Sequence, residues 1–334
     1  MTPAVLYPSI DQRLGPAEDR FFGTRHRETD LLINNMEIAA LTVRATARLR
    51  YPAIWSRKAA GNPAAHLSSI DALAIMTELG EAYLTHTLSL DAGERSRCWL
   101  RSFKMRVGAP TEELDEFAVS ADLSPKSPAS DDGRTWRSMF DCRMGTIGGT
   151  CVIEHERGTR RADRGLYSTS ADLLGDPRDR HHGDRYKQRR QAVEDVRVDV
   201  GRMQVDAAVS VSEAPGAGPE RGLAAAYQPT LSMIDAVVSL AQMAQVLTYE
   251  LDGLERDHSH TFWMRRLAMQ RDSPRHPLDA RMPASIAVEN TRLPRLDGNV
   301  WRTLDVTGGI AGIAVQAAVA HQLPAGIAGA TPTR

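Results

Sequence analysis

The chain repeats itself, and that constrains its fold more than any other feature. Residues 66–106 (HLSSIDALAIMTELGEAYLTHTLSLDAGERSRCWLRSFKMR) align without a gap on residues 230–270 (TLSMIDAVVSLAQMAQVLTYELDGLERDHSHTFWMRRLAMQ), a shift of 164. Identical pairs include Leu67/Leu231, Ser68/Ser232, Ile70/Ile234, Asp71/Asp235, Trp99/Trp263 and Arg101/Arg265. Further on, Trp136-Arg-Ser-Met-Phe-Asp141 faces Trp301-Arg-Thr-Leu-Asp305, and Gly145 and Gly148 match Gly309 and Gly312. Two blocks in one order at nearly one offset predict a doubled domain, with a period far too long for a solenoid repeat. A chain of 334 residues has the length for two such units. The expected division is a first unit with an N-terminal arm (1–156), a charged linker (157–192) and a second unit (193–334). The linker, with RDRHHGDRYKQRR at its centre, reads as a solvated loop, because Asp172, Asp176, Asp179 and Asp184 dilute its positive charge. Residues 214–222, APGAGPERG, read as a mobile loop.

Each repeat opens with a helical signal. Ser68-x-x-Asp71 and Ser232-x-x-Asp235 resemble capping boxes, so helices are expected to start at those serines. The first, over 68–85, is apolar nearly all round, which predicts burial rather than a surface position. One polar line interrupts it: Asp71, Glu78 and Thr85, matched by Asp235, Gln242 and Tyr249. Positions seven apart return to one helix face. Strand-like runs flank each helix, at 31–48, 98–105, 116–123 and 136–155, and again at 193–211, 260–267, 284–288 and 300–320. One buried helix among successive strands is α+β organisation with antiparallel sheet. The predicted fold is a tandem double hotdog: curved antiparallel sheets, each wrapped around a central helix. The paired glycines open no dinucleotide fingerprint and are expected at sheet bends.

Composition excludes several functions. Net charge is −1 and aromatic residues are 5%, which argues against nucleic-acid binding. No basic start precedes an apolar run at the N-terminus, and no segment has the length of a membrane span, so a cytoplasmic protein is expected. Cys98, Cys142 and Cys151 are an odd count without a CxxC pair, consistent with reduced thiols and neither a disulfide framework nor a metal site. No cofactor is implied.

Free amides at a helix start, with the helix dipole, suit a developing oxyanion. Ser68, Ser69 and Ile70, and Ser232 in the second copy, are the candidates for such a cradle. Asp71 and Asp235 read either as capping carboxylates or as catalytic groups. His66 precedes the first helix, where the second copy has Thr230, so the halves are expected to differ. His66 reads either as a loop hydrogen-bonder or as a catalytic base. Glu78 reads as solvent-facing or as substrate-binding. Arg101 and Arg265 read as partners of Asp71 and Asp235 or as anion binders.

Several stretches resemble the avirulence protein D family of plant-pathogenic and soil bacteria: SIDQRLGPAEDRFFG, HLSSIDALAIMTELGEAYL, and QPTLSMIDAVV with VLTYELDGLERDHSHTFWMRR. A more distant similarity is to the A-factor synthases of filamentous actinomycetes, and the helix start is locally similar to hotdog dehydratases. The resemblance implies synthesis of acyl-sugar lactone signals of the syringolide type. It implies a β-ketoacyl carrier protein or acyl-CoA as donor and a ketose such as xylulose as acceptor, with no nucleic-acid or membrane partner; a homodimer stays open. On that expectation Asp71, helped by His66, is the base. A thioesterase or dehydratase, or a non-catalytic lipid-signal binder, would also suit the fold.

Overall fold

The computed structural model describes residues 3–58, 61, 63–126, 135–159, 164–216, 218–278 and 281–324. The first repeat comprises β1 (Val5–Ser9), α1 (Asp11–Leu14), β2 (Asp30–Ala39), β3 (Thr42–Arg50), α2 (Ser69–Thr87), α3 (Ala92–Arg97), β4 (Trp99–Val107), β5 (Phe117–Leu123), β6 (Thr135–Met144) and β7 (Ile147–Glu156). The second comprises β8 (Gly165–Thr169), α4 (Ala171–Leu174), β9 (Arg189–Asp199), β10 (Gln204–Glu213), α5 (Met233–Asp252), β11 (Phe262–Gln270), β12 (Met282–Arg292), β13 (Arg295–Leu296), β14 (Asn299–Ile310) and β15 (Ile313–Gln322).

The two long helices start where the serines put them. Ser68 and Ser232 are the N-caps, each accepting from the amide three residues on (3.2 and 3.1 Å). Such a bond satisfies one of the orphan donors of the first turn. Every residue of α2 except His86 is buried, so the all-round apolar pattern buries the helix as expected. The polar line is buried with it, Glu78 included; none of it faces solvent.

The strands form one continuous antiparallel sheet in the order β1-β9-β10-β12-β14-β15-β11-β4-β7-β6-β5-β3-β2-β8, with β13 paired to β14. Its centre is the β4–β11 pair, where Lys104 lies opposite Ala268, its own counterpart at a shift of 164. Met105 faces Leu267 and Phe103 faces Met269 on either side, which is the register a pseudo-twofold axis demands. Each half therefore wraps its sheet around one helix and shares an edge with the other. This is a tandem double hotdog of the α+β class. The two glycines with positive φ among the four paired ones, Gly145 (φ 51°) and Gly312 (φ 80°), sit in the β6–β7 and β14–β15 turns. Gly148 and Gly309 lie within strands.

Over its described residues the charged linker is not a loop. Residues 165–188 repeat residues 5–28 at a shift of 160: Leu6-Tyr7 matches Leu166-Tyr167, Leu14-Gly15 matches Leu174-Gly175, and Asp19-Arg20 matches Asp179-Arg180. Arg180, His181, His182, Arg185 and Arg189 are all buried. The arms are also exchanged: β1 pairs with β9 of the second half, and β8 pairs with β2 of the first. Arg180 meets the buried Glu78 at 3.1 Å, and Arg185 reaches out to the exposed Glu213 at 2.9 Å. The loop ending at Gly222 is likewise docked, with the Arg221 N–H on Asp179 O (2.7 Å) and the Leu223 N–H on Glu81 Oε1 (3.0 Å). Cys98, Cys142 and Cys151 are buried and free. Among the described residues, no helix is long and apolar enough to cross a membrane.

Candidate active site

The start of α2 opens into a recess built by both halves. The amides of Ser69 and Ile70, first in the helix, meet no acceptor among the described residues, while the Asp71 N–H is taken by Ser68 Oγ. Phe21, Phe22, Trp55, His66, Leu67, Ser68, Ser69, Met105 and Val107 line the recess from the first half. Ala241, Gln245 and Tyr249 of α5 and Phe262, Trp263 and Met264 of β11 close it from the second. Its walls are mostly apolar with a few convergent polar groups, the usual make-up of a small-molecule site.

His66 lines the recess wall. The ring lies 4.4 Å from Trp263 and edge-on to Trp55 at 5.0 Å. Burial lowers its pKa from the ordinary histidine value, favouring the neutral ring. Nδ1 is 3.3 Å from Ala64 O. A carbonyl only accepts, so that bond puts the proton on Nδ1 and leaves Nε2 with a free lone pair.

Asp71 stands one layer behind. It is buried, and both Ser68 Oγ and the Tyr51 hydroxyl donate to its Oδ2. The Tyr51 oxygen in turn accepts the Ser68 N–H at 3.1 Å. Burial raises the Asp71 carboxyl, only partly offset by these two donors, and pushes Tyr51 well above its usual range. Asp71 does not line the recess; it acts on it through Ser68.

Three cations surround the recess: Arg20, Lys58 and Arg256. Burial lowers Lys58 to about 7, with Arg256 adding to the effect. Its Nζ nevertheless donates to Ser259 O (3.0 Å), Ser259 Oγ (2.7 Å) and His260 O (2.6 Å). Three donated bonds are those of an ammonium, which is the form this geometry holds.

The equivalent place at the start of α5 is filled. Asp235 accepts from Arg189 Nη1 (2.8 Å), Gln191 Nε2 (2.7 Å), Ser232 Oγ (2.7 Å) and the Ser232 N–H (2.9 Å). Burial alone would raise its carboxyl; the Arg189 guanidinium, with His181 and Ser232, overrides burial and holds it below the ordinary value. Arg271, which replaces Val107 of the first half, lies over Trp99, the counterpart of Trp263, at 5.4 Å. Its Nε donates to Leu100 O (2.9 Å). The Ala224 N–H reaches Cys98 O (2.7 Å), and Thr230, in the place of His66, accepts the His276 N–H (2.8 Å).

Of the residues singled out from sequence, His66, Ser68 and Ser69 meet in the recess. Ile70 is buried in the core and does not line the recess, although its amide has no acceptor among the described residues. Glu78 is committed to Arg180, and Asp235 and Ser232 form a reciprocal capping box at the other helix. Arg101 and Arg265 are corrections. Arg101 pairs with Glu154 (3.2 Å) and Asp272 (3.3 Å), and exposed Arg265 donates to Gly108 O (2.9 Å). Neither reaches an aspartate at a helix start or the recess. Each sits at a register shift in its strand, Leu100/Ser102 and Met264/Arg266, and a bulge breaks the side-chain alternation that spacing from the tryptophan assumes. Tyr51, Trp55, Arg20, Lys58 and Arg256 escaped sequence reading. The second copy of the arm, which matches Arg20 to Arg180, was the available signal for one of them.

Sheet, helices and recess together define a double-hotdog protein with an open, largely apolar pocket at a helix start. The model of the Pseudomonas avirulence D protein (AvrD) family matches residues 5–324, and the chain belongs to that family. No curated protein matches. Among solved structures, the tesB protein of Mycobacterium avium subsp. paratuberculosis shares 9% identity over 84% of this chain and 93% of its own, with a TM-score of 0.38. An acyl-CoA thioesterase II, TesB2, from Mycobacterium marinum shares 10% over 77% and 91%, at 0.36. The dehydratase domain from the CurJ module of curacin polyketide synthase shares 10% over 89% and 98%, at 0.35.

Proposed function

We propose that this chain is an enzyme that joins a β-ketoacyl thioester to a ketose such as xylulose, giving an acylated sugar lactone of the syringolide type. Family membership supports the reading, and one observation carries it: an apolar recess lined both by Ser69, whose helix amide is unclaimed, and by a neutral imidazole. The acyl chain lies along Trp55, Phe262 and Met264. The thioester carbonyl oxygen takes the Ser69 and Ile70 amides, which stabilise the oxyanion as it forms. His66 Nε2 accepts the proton of a sugar hydroxyl whose oxygen attacks the carbonyl carbon. Collapse breaks the C–S bond, and the imidazolium returns the proton to the departing thiolate of coenzyme A or a carrier protein. Asp71 is a positioning residue, holding Ser68 and Tyr51, rather than the base expected from its spacing. A carboxyl that already receives two hydroxyl donors and does not line the recess cannot reach the sugar.

The test is thiol release from a β-ketoacyl-CoA by purified protein, with and without xylulose. Sugar-dependent release with a new mass equal to acid plus sugar less water, or its further dehydrated lactone, is expected. Equal release without sugar identifies a thioesterase instead, and binding of the thioester without turnover identifies a lipid-signal binder.

A further inference from the structure

The pseudo-twofold makes Arg20 and Arg180 counterparts, yet their surroundings differ. Arg180 is buried against α2, where Glu78 accepts its Nη2 at 3.1 Å and Glu81 lies close by. The residues of α5 at the matching positions, 164 further on, are Gln242 and Gln245. Gln242 spends its amide on Val238 O (3.0 Å), and Gln245 lines the recess. Arg20 is 3% exposed and also lines the recess, and its Nε and Nη1 have no partner. Its remaining nitrogen, Nη2, goes to the half-exposed Asp11. Lys58 and Arg256 add two further cations, and no aspartate or glutamate lines the recess. Arg256 pairs with the exposed Asp257 at 3.3 Å and donates to Arg57 O (2.9 Å), Asp19 O (2.7 Å) and Ser56 Oγ (3.2 Å), and Lys58 meets carbonyls and a hydroxyl, which leaves Arg20 as the cation with unused donors.

A buried guanidinium with two unpartnered nitrogens is costly unless an anion completes it, and its planar fork suits phosphate or carboxylate oxygens. Three cations against two largely exposed carboxylates, Asp11 and Asp257, leave the wall net positive and suit an anion. Burial lowers Arg20, with Arg256 adding to the effect, whereas Arg180 beside Glu78 and Glu81 is raised despite its own burial. Resting on the functional reading above for its location, we infer that the recess binds a phosphate monoester carried by one of the substrates, with Arg20 as its anchor. The phosphate belongs either to the sugar or to the coenzyme A of the donor.

Calorimetric titration of the intact chain separates the two sources. One arm compares xylulose 5-phosphate with xylulose; the other compares a β-ketoacyl-CoA with the same acyl group on N-acetylcysteamine, which has no phosphate. The phosphate-bearing ligand is expected to bind at least tenfold more tightly in one arm, and that arm names the source. Arg20→Gln is expected to erase the advantage and leave the phosphate-free ligand's affinity unchanged. No advantage in either arm, or an advantage that survives Arg20→Gln, overturns the inference. Arg20→Lys keeps the charge without the fork and is expected to keep only part of the advantage; where the glutamine variant does not fold, full retention in the lysine variant overturns the anchor. Binding needs no turnover. Phosphate discrimination without sugar transfer therefore removes the synthase reading alone, and sugar transfer without discrimination removes this one alone.

Discussion

Replacing His66 with glutamine is expected to lower turnover by about 10²–10⁴-fold, the usual contribution of a positioned general base. The fold should be untouched, because His66 packs between Trp55 and Trp263 at the recess wall and carries no charge pair. Circular dichroism and thermal unfolding check that. The distinguishing readout is the pH profile. Burial keeps His66 below the ordinary histidine value, so the acid limb of kcat/KM should fall below about 6.5. The residual activity of His66→Gln should lack that limb. A residue that only packs would leave the profile unmoved. Asp71→Asn separates roles further: acting through Ser68 and Tyr51, it should weaken catalysis and keep the His66 limb, whereas loss of the limb would return Asp71 to the role of base.

The second large effect concerns stability and lies in the other half. Removing the Asp235 carboxylate with Asp235→Ala takes away the buried Arg189 guanidinium's ion pair at 2.8 Å and leaves it only the more distant Glu220 carboxylate at 3.9 Å, and should cost about 3 kcal/mol. Asp71→Asn, where no cation is lost, should change stability by only about 1 kcal/mol. The pH dependences have opposite signs. Asp235 is held below its unfolded value, so its stabilisation is present at neutral pH and is lost as pH falls through the carboxylate range. Asp71 is raised, so the folded state holds its proton more tightly and ionisation penalises folding as pH rises. Urea unfolding at pH 4 and pH 7 should therefore show Asp235→Asn falling further behind the parent at the higher pH. Asp71→Asn should gain on it. Parallel behaviour of the two variants would refute the asymmetry between the helix starts.

How much of this was legible depends on where the signal lay. The helices were readable because Ser68 and Ser232 cap them and apolar residues run all round, a pattern only burial explains. The doubling was readable because Trp99 and Trp263 flank the axis at one shift. The exchanged arms were not. Residues 165–188 match 5–28 at a shift of 160 rather than 164, and their arginines suggest solvent until the buried Glu78 is seen to receive one of them. The difference between the helix starts was foreshadowed by His66 against Thr230. What closes the second one, Arg271 for Val107, is a change on a strand end whose direction only the fold reveals. The two arginines after the tryptophans misled because bulges, which leave no mark in spacing, turn them away.

A structure of the chain with a non-hydrolysable, amide-linked β-ketoacyl pantetheine tests the central claim most directly. The acyl chain should lie between Trp55 and Trp263, with its carbonyl oxygen about 2.7–3.2 Å from the Ser69 or Ile70 amide. An analogue lodged instead at the start of α5, beside Trp99 and Arg271, or bound outside the recess, would contradict it.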